Sequence, residues 1–140
     1  MANINLGRVV LGGIVAGVVV NVFEFILNGV VLAPQWPIIM DSINRPAFGT
    51  NSIIDFVVIG FALGLASVWT YAAIRPRFGA GVKTAVYAGL LIWVVGYVLA
   101  DAMPTIMGVY PLGIAVIIVG VGLVEIIVAT IAGAWVYKEA

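Results

Sequence analysis

Carboxylates in apolar surroundings are the residues of this sequence with the greatest potential for chemistry. Glu24 lies in a long apolar run between Asn21 and Asn28, Glu125 lies in a second apolar run, and Asp101 ends a third. An ionised carboxylate is costly in hydrocarbon, so each acid must be neutral, hydrated or paired with a base from elsewhere. We expect these five side chains to bind a proton or a small cation, or to pair with a basic residue of a partner protein.

The same acids also fit a structural role. Neutral acids that share hydrogen bonds with amides or hydroxyls, such as that of Thr130, can hold membrane helices together. The simplest interpretation of Asp101 is a solvated residue that faces a loop, although Tyr97, four residues earlier, could donate a hydrogen bond to it. Asp55 follows Ser52 at capping-box spacing, which predicts a helix start rather than a binding site. The structural and functional interpretations of the acids therefore both stay open.

Two residue types are absent, and their absence excludes much chemistry. The 140 residues contain no Cys and no His, which removes disulfides, thiolate nucleophiles, His-dependent couples and the usual zinc, haem and iron–sulfur sites. Six basic and six acidic residues give no net charge, so the chain lacks the basic footprint of a nucleic-acid-binding protein. We predict a protein that is not an enzyme, with no catalytic residues, metal, cofactor or nucleic-acid partner.

The composition requires a membrane to cover the surface. The chain is 64% hydrophobic and 9% charged, whereas soluble domains are about 45–50% apolar and about 25% charged. Four apolar stretches are long enough to span a bilayer: residues 9–33, 53–74, 84–102 and 112–137, with an external loop at 34–52. We predict an all-α integral membrane four-helix bundle of two antiparallel hairpins, forming one domain over residues 1–140. The first stretch is too long and too polar for a signal peptide, so we expect it to remain.

The basic residues predict the orientation. All but Arg45 fall at one end of the predicted bundle: Arg8, Arg75, Arg77, Lys83 and Lys138. Because positively charged segments stay in the cytoplasm, both termini are predicted to be cytoplasmic. In the external loop, Trp36 and Ile39 have the spacing of a short amphipathic helix, which would be an interfacial anchor or a lid over a cavity.

Small residues recur on one face of each predicted helix. Membrane helices associate through such residues because these allow close approach of the backbones. The positions are Gly13, Gly17, Gly60, Gly64, Gly89, Gly96, Gly122, Ala129 and Gly133. We expect these faces to meet in a tight bundle, with the larger aliphatic residues facing lipid.

Several short motifs accompany this pattern. They are Phe23-Glu24-Phe25, Asn28-Gly29 followed by Trp36, the stretch Trp69–Arg77 and the ending Trp135–Glu139. With these motifs and four spans, the chain resembles small bacterial inner-membrane proteins classed in families of unknown function. The resemblance implies a bacterial inner-membrane location and transfers no activity or catalytic residue.

Three functional hypotheses follow. The first is an accessory or scaffolding subunit that packs into a larger membrane assembly, where a partner's base would pair the embedded acids. The alternative is a small homo-oligomeric transporter or channel for protons or cations that uses the carboxylates. A third is a lipid or quinone site lined by Trp93, Tyr97 and Tyr110. In each case the bilayer is a partner, together with other membrane subunits or further copies of the chain.

Overall fold

The chain folds entirely into helices within the part that the structure describes. The structure is a computed structural model that describes residues 3–139, and no strand occurs in this range. The five helices are α1 (Leu6–Val31), α2 (Gln35–Ser42), α3 (Thr50–Phe78), α4 (Val82–Ile106) and α5 (Leu112–Val136). All but α2 are long and apolar enough to cross a membrane. The prediction of an all-helical protein with four long apolar helices is confirmed.

Most helix ends differ from those of the predicted spans, although α5 begins at Leu112 as predicted. α3 runs past Ile74 through Pro76 and ends before Gly79, whose φ of 86° no other residue type adopts easily. α4 likewise runs past Ala102 through Pro104 to Ile106. A proline within a final turn removes one hydrogen bond without ending the helix. The spans predicted from composition therefore stop several residues before the true ends of α3 and α4.

Neighbouring long helices run antiparallel. Between α1 and α3, Gly13 lies against Leu65 whereas Gly17 lies against Phe61, so residue numbers rise along one helix and fall along the other. Gly12 of α1 meets Gly133 near the opposite end of α5. α4 also packs against both α3 and α5, which completes a bundle of four helices.

The two ends of the bundle differ in charge and in covering. The basic end carries Asn3, Glu139 and the α3–α4 turn; there the Asn5 N–H donates to the Tyr137 hydroxyl at 3.4 Å. Arg75 pairs with Glu139 at 3.1 Å at this end. The opposite end, which we call the acidic end, carries α2 and the α4–α5 turn.

The helix α2 packs over the acidic end. Its Ile39 is buried in a small apolar cluster with Leu27, Leu32 and Ile114, and the Trp36 ring packs edge-on against that of Tyr110, the centroids 6.4 Å apart. The short helix expected in the external loop is thus present. This packing places α2 beside the α4–α5 turn at the acidic end.

Candidate carboxylate site

Glu125 is the most deeply buried ionisable residue that the structure describes. Its exposed fraction is 0%. The Oε1 atom accepts a hydrogen bond from the Tyr97 hydroxyl at 2.7 Å, whereas Oε2 is buried and has no hydrogen-bond partner among residues 3–139. A buried carboxyl oxygen without a partner costs free energy that an apolar residue here would not cost. We therefore consider a functional role for Glu125.

The position of Gly122 allows Tyr97 to reach this acid. A Cβ atom added at Gly122 would lie 2.2 Å from Tyr97 Cδ1, so the phenol ring lies directly across the glycine. Gly122 precedes Glu125 by three residues, which puts both on one face of α5. The space left by the missing Cβ lets the Tyr97 ring, which belongs to α4, pack against α5. Its hydroxyl thereby reaches the Glu125 carboxyl group.

Glu24 lies on the neighbouring helix α1, within electrostatic range of Glu125. It is partly exposed and accepts a hydrogen bond from the Asn28 side-chain amide one turn later. The structure thus joins Asn28 to Glu24 by a hydrogen bond and brings Glu24 within electrostatic range of Glu125 and Asp101. What the four residues do there is a separate question.

Asp101 lies inside α4 and is partly buried, so it is not the solvated loop residue that was the simplest expectation. Its carboxylate accepts a hydrogen bond from the Tyr110 hydroxyl of the α4–α5 turn, whereas Tyr97, the donor expected for it, bonds to Glu125 instead. Burial raises the pKa of Tyr110 above its ordinary value, and the bond to Asp101 adds to this. Tyr110 also lines a cleft of about 530 Å³ between α2 and the turn. The phenol therefore connects this surface cleft with Asp101.

Two other polar residues lie elsewhere than expected. The Asn21 side-chain amide donates to the Gly17 carbonyl at 2.9 Å and to the Val57 carbonyl of α3 at 3.2 Å, so it joins two helices and does not bind Glu24. Asp55 is exposed on α3, which begins at Thr50 and makes no side-chain cap hydrogen bond. The capping-box prediction was wrong because the helix begins before Ser52.

The small residues lie where helices meet. Gly13 and Gly17 touch α3, Gly60 touches Asn21, and Gly133 touches both Gly12 and Val68. The remaining predicted positions face neighbouring helices in the same way: Gly64 meets α1, Gly89 meets Thr130, Gly96 meets Leu63, Gly122 meets Tyr97, and Ala129 is fully buried. They serve helix contact and, at Gly122, also the site.

Two short π-helical segments lie at the site, one in α1 and one in α4. One covers Leu27–Val31 and contains Asn28, and the other covers Val94–Leu99 and contains Tyr97. π-turns are uncommon and occur frequently at functional sites, because an extra residue in the turn re-aims the side chains around it. The hydrogen-bond donors to Glu24 and Glu125, Asn28 and Tyr97, thus both come from re-aimed turns.

No basic residue forms an ion pair with the carboxyl groups of the site within residues 3–139. Arg75–Glu139, at the basic end, is the only ion pair within residues 3–139. The same range holds no group of three or more acids that could bind a metal ion. The arrangement is therefore a row of carboxyls, running from the partly exposed Asp101 and Glu24 to the buried Glu125, that can hold protons or accept a small cation.

The aromatic residues of the lipid or quinone hypothesis are engaged within the chain. Trp93 Nε1 donates to the Val119 carbonyl at 2.8 Å, and the Tyr97 and Tyr110 hydroxyls donate to Glu125 and Asp101. The bond from Tyr97 to Glu125 was not anticipated. The sequence signal that indicates it is a glycine one turn before an embedded acid, where a neighbouring ring can lie.

Comparison with known proteins adds no relative: no protein-family model, no curated protein and no solved structure matches the chain.

Proposed function

We propose that the chain spans a bacterial cytoplasmic membrane, with its basic end in the cytoplasm. Four helices have the necessary length and composition, and large aliphatic residues such as Ile14, Val58 and Val116 are about half exposed or more around the bundle. Five of the six basic residues lie at the basic end, which the positive-inside rule assigns to the cytoplasm. The bacterial membrane itself is what the resemblance implies.

We further propose that the protein binds a proton or small cation at the carboxylate site and carries it as a small homo-oligomeric transporter or channel. The observation that carries this proposal is Glu125, which is wholly enclosed, has one carboxyl oxygen without a partner and lies within electrostatic range of the acid Glu24. Embedded ionisable residues that face a bundle interior are characteristic of ion pathways and proton relays.

The enclosure of Glu125 favours a small ion over a partner's side chain. Its own chain covers the carboxyl completely, so an arginine or lysine of another protein has no room beside it. A proton or a small cation needs no such room, and the partly exposed Glu24 and Asp101 lie between Glu125 and the acidic end. These two acids are suited to pass the ion inward.

The basic half of the bundle is closely packed with small and apolar residues. Ala16, Val68, Ala85 and Ala129 are fully buried, and the buried hydroxyls of Ser67 and Thr130 donate to backbone carbonyls of their own helices. We propose that the ion reaches the carboxylate site from the acidic end, because Glu24 and Asp101 are partly exposed there. Release toward the basic end requires the helices to move apart at these small-residue contacts.

Reconstitution into liposomes that contain a pH-sensitive dye tests this function. Under an imposed membrane potential the unaltered protein should acidify the lumen faster than protein-free liposomes, and E125Q should abolish the difference because its amide cannot carry the ion. D55N is the matched control, since Asp55 is an exposed acid outside the site, and should retain full flux. Flux in E125Q equal to that of the unaltered protein would refute the role of Glu125.

We propose an accessory subunit role as the second candidate. It is favoured by the embedded acids, none of which has a basic partner within residues 3–139, and by the partial exposure of Glu24 and Asp101, which leaves them open to a partner's base. Native mass spectrometry after gentle extraction tests it. Stoichiometric foreign subunits that dissociate more readily from E24Q would support this role, and a self-associated oligomer alone would contradict it.

A further inference from the structure

We infer that the cation held at Glu125 is a proton, which arrives from Glu24 and settles on Oε2 because Tyr97 occupies Oε1. This inference rests on the proposed function, deepens it by naming the ion, and assigns Tyr97 as a positioning residue. It follows from the hydrogen bonds and burial at the site.

The surroundings of the free oxygen favour a proton over a metal ion. Hard cations take about six oxygen ligands or more, whereas no polar atom within residues 3–139 is bonded to Glu125 Oε2. The core of the bundle contains apolar residues such as Val20, Ile126 and Ala129, each fully buried. A proton needs only the one oxygen that is present, and it removes the charge whose burial is costly.

The transfer balances within the two acids. The O–H bond of the Glu24 carboxylic acid breaks, an O–H bond forms on Glu125 Oε2, and the negative charge passes from Glu125 to Glu24. Where a water molecule relays the proton, it gives one proton to Glu125 and takes one from Glu24, so the balance is unchanged. The charge then lies on the partly exposed acid, where it is better hydrated, and Glu24 can take a new proton from the acidic end.

The titratable groups near Glu125 come from two of the three helices packed around it. α1 contributes Glu24, and α4 contributes Tyr97 and, beyond it, Asp101. α3 contributes none at this depth, because Asp55 is exposed and Tyr71 accepts a hydrogen bond from the Gly81 N–H near the basic end. No base faces the site from these helices. The response of Glu125 to pH is therefore governed by Glu24, Asp101 and the Tyr97 hydroxyl.

Tyr97 sets which oxygen receives the proton. Its hydroxyl donates to Glu125 Oε1 at 2.7 Å, so that oxygen keeps carbonyl character when the acid is neutral. Oε2, the atom without a partner, is left as the site of protonation. Loss of the phenol hydroxyl would leave both oxygens without a donor and make the two sites equivalent.

Infrared difference spectroscopy of the full chain in lipid nanodiscs tests this inference. A pH step should produce the carbonyl band of a protonated carboxylic acid that is missing in E125Q and retained in D55N. Y97F should keep the band but move it to higher frequency, because a carbonyl that accepts no hydrogen bond vibrates faster. A band at an unchanged frequency in Y97F would overturn the positioning role, provided that the amide bands show unchanged helix content.

Sodium, potassium and magnesium chlorides, added at constant pH, separate the inference from the proposed function. No change of the Glu125 band on any of these additions supports the proton. A band that disappears on addition of one metal would keep cation binding and overturn the proton assignment. A chain that shows neither a pH-dependent nor a metal-dependent band would refute the proposed function together with the inference.

Discussion

At the scale of single residues, the site depends on one glycine as much as on its acids. The Tyr97 ring lies across Gly122 because no Cβ intervenes, and this contact brings the phenol to Glu125. The acids Glu24 and Glu125 were recognisable in the sequence, since carboxylates are rare in apolar runs. The phenol that binds one of them was not, because it comes from a helix 28 residues away along the chain.

The substitution Gly122→Ala should therefore displace Tyr97 and break its bond to Glu125. A methyl group 2.2 Å from the ring carbon cannot be accommodated without movement, and overpacking of this kind costs about 1–3 kcal/mol. We expect a lower free energy of unfolding in lipid–detergent micelles together with the infrared band shift expected of Y97F. Gly113→Ala is the matched control, because nothing lies within 4 Å of that position. Equal stability of the two variants would contradict the contact.

At the scale of helices, the α1–α3 contact brings two backbones close together. A Cβ at Gly64 would lie 2.3 Å from the Gly17 nitrogen and 2.6 Å from the Gly13 carbonyl oxygen. Both atoms belong to the backbone, so no side chain can move aside. Close backbone approach of this type is how membrane helices associate, and the small-residue face visible in the sequence anticipated where it would occur.

Gly64→Ala should consequently push α1 and α3 apart. We expect a loss of at least about 1–3 kcal/mol in the free energy of unfolding, because the obstacle is backbone rather than a flexible side chain. Gly120→Ala should be neutral, since its position on α5 faces open space. Denaturant titration followed by circular dichroism measures both variants. A Gly64→Ala protein as stable as Gly120→Ala would refute the close contact.

The helix ends show where local signals are insufficient. Prolines mark breaks in many sequences, yet Pro76 and Pro104 lie within final turns, and α3 stops only before Gly79. The two π-turns likewise have no sequence signature here, because they arise when packing requires one more residue in a turn. The presence of each long helix was predictable from hydropathy, and its last turn was not.

At the scale of the whole molecule, orientation is the prediction that governs all others. Because the chain contains no Cys, a single introduced cysteine is the only thiol that can be labelled, and its accessibility measures the orientation. With the basic end in the cytoplasm, Ala47→Cys at the acidic end should react with a membrane-impermeant maleimide in intact bacteria. Ala80→Cys, in the exposed α3–α4 turn, should react only after permeabilisation. The reverse pattern would invert the proposed topology and place the carboxylate site on the cytoplasmic side.

The sequence by itself determined the class of molecule and the identity of its reactive groups. Hydropathy and length act locally, so four long apolar helices and the embedded acids could be read directly. Tertiary structure decided the partners: Asn21 bonds to α3 rather than to Glu24, Tyr110 bonds to Asp101, and Tyr97 bonds to Glu125. These choices depend on the register between helices distant in sequence. That register is set by the combined packing of many small residues, which no single stretch of sequence contains.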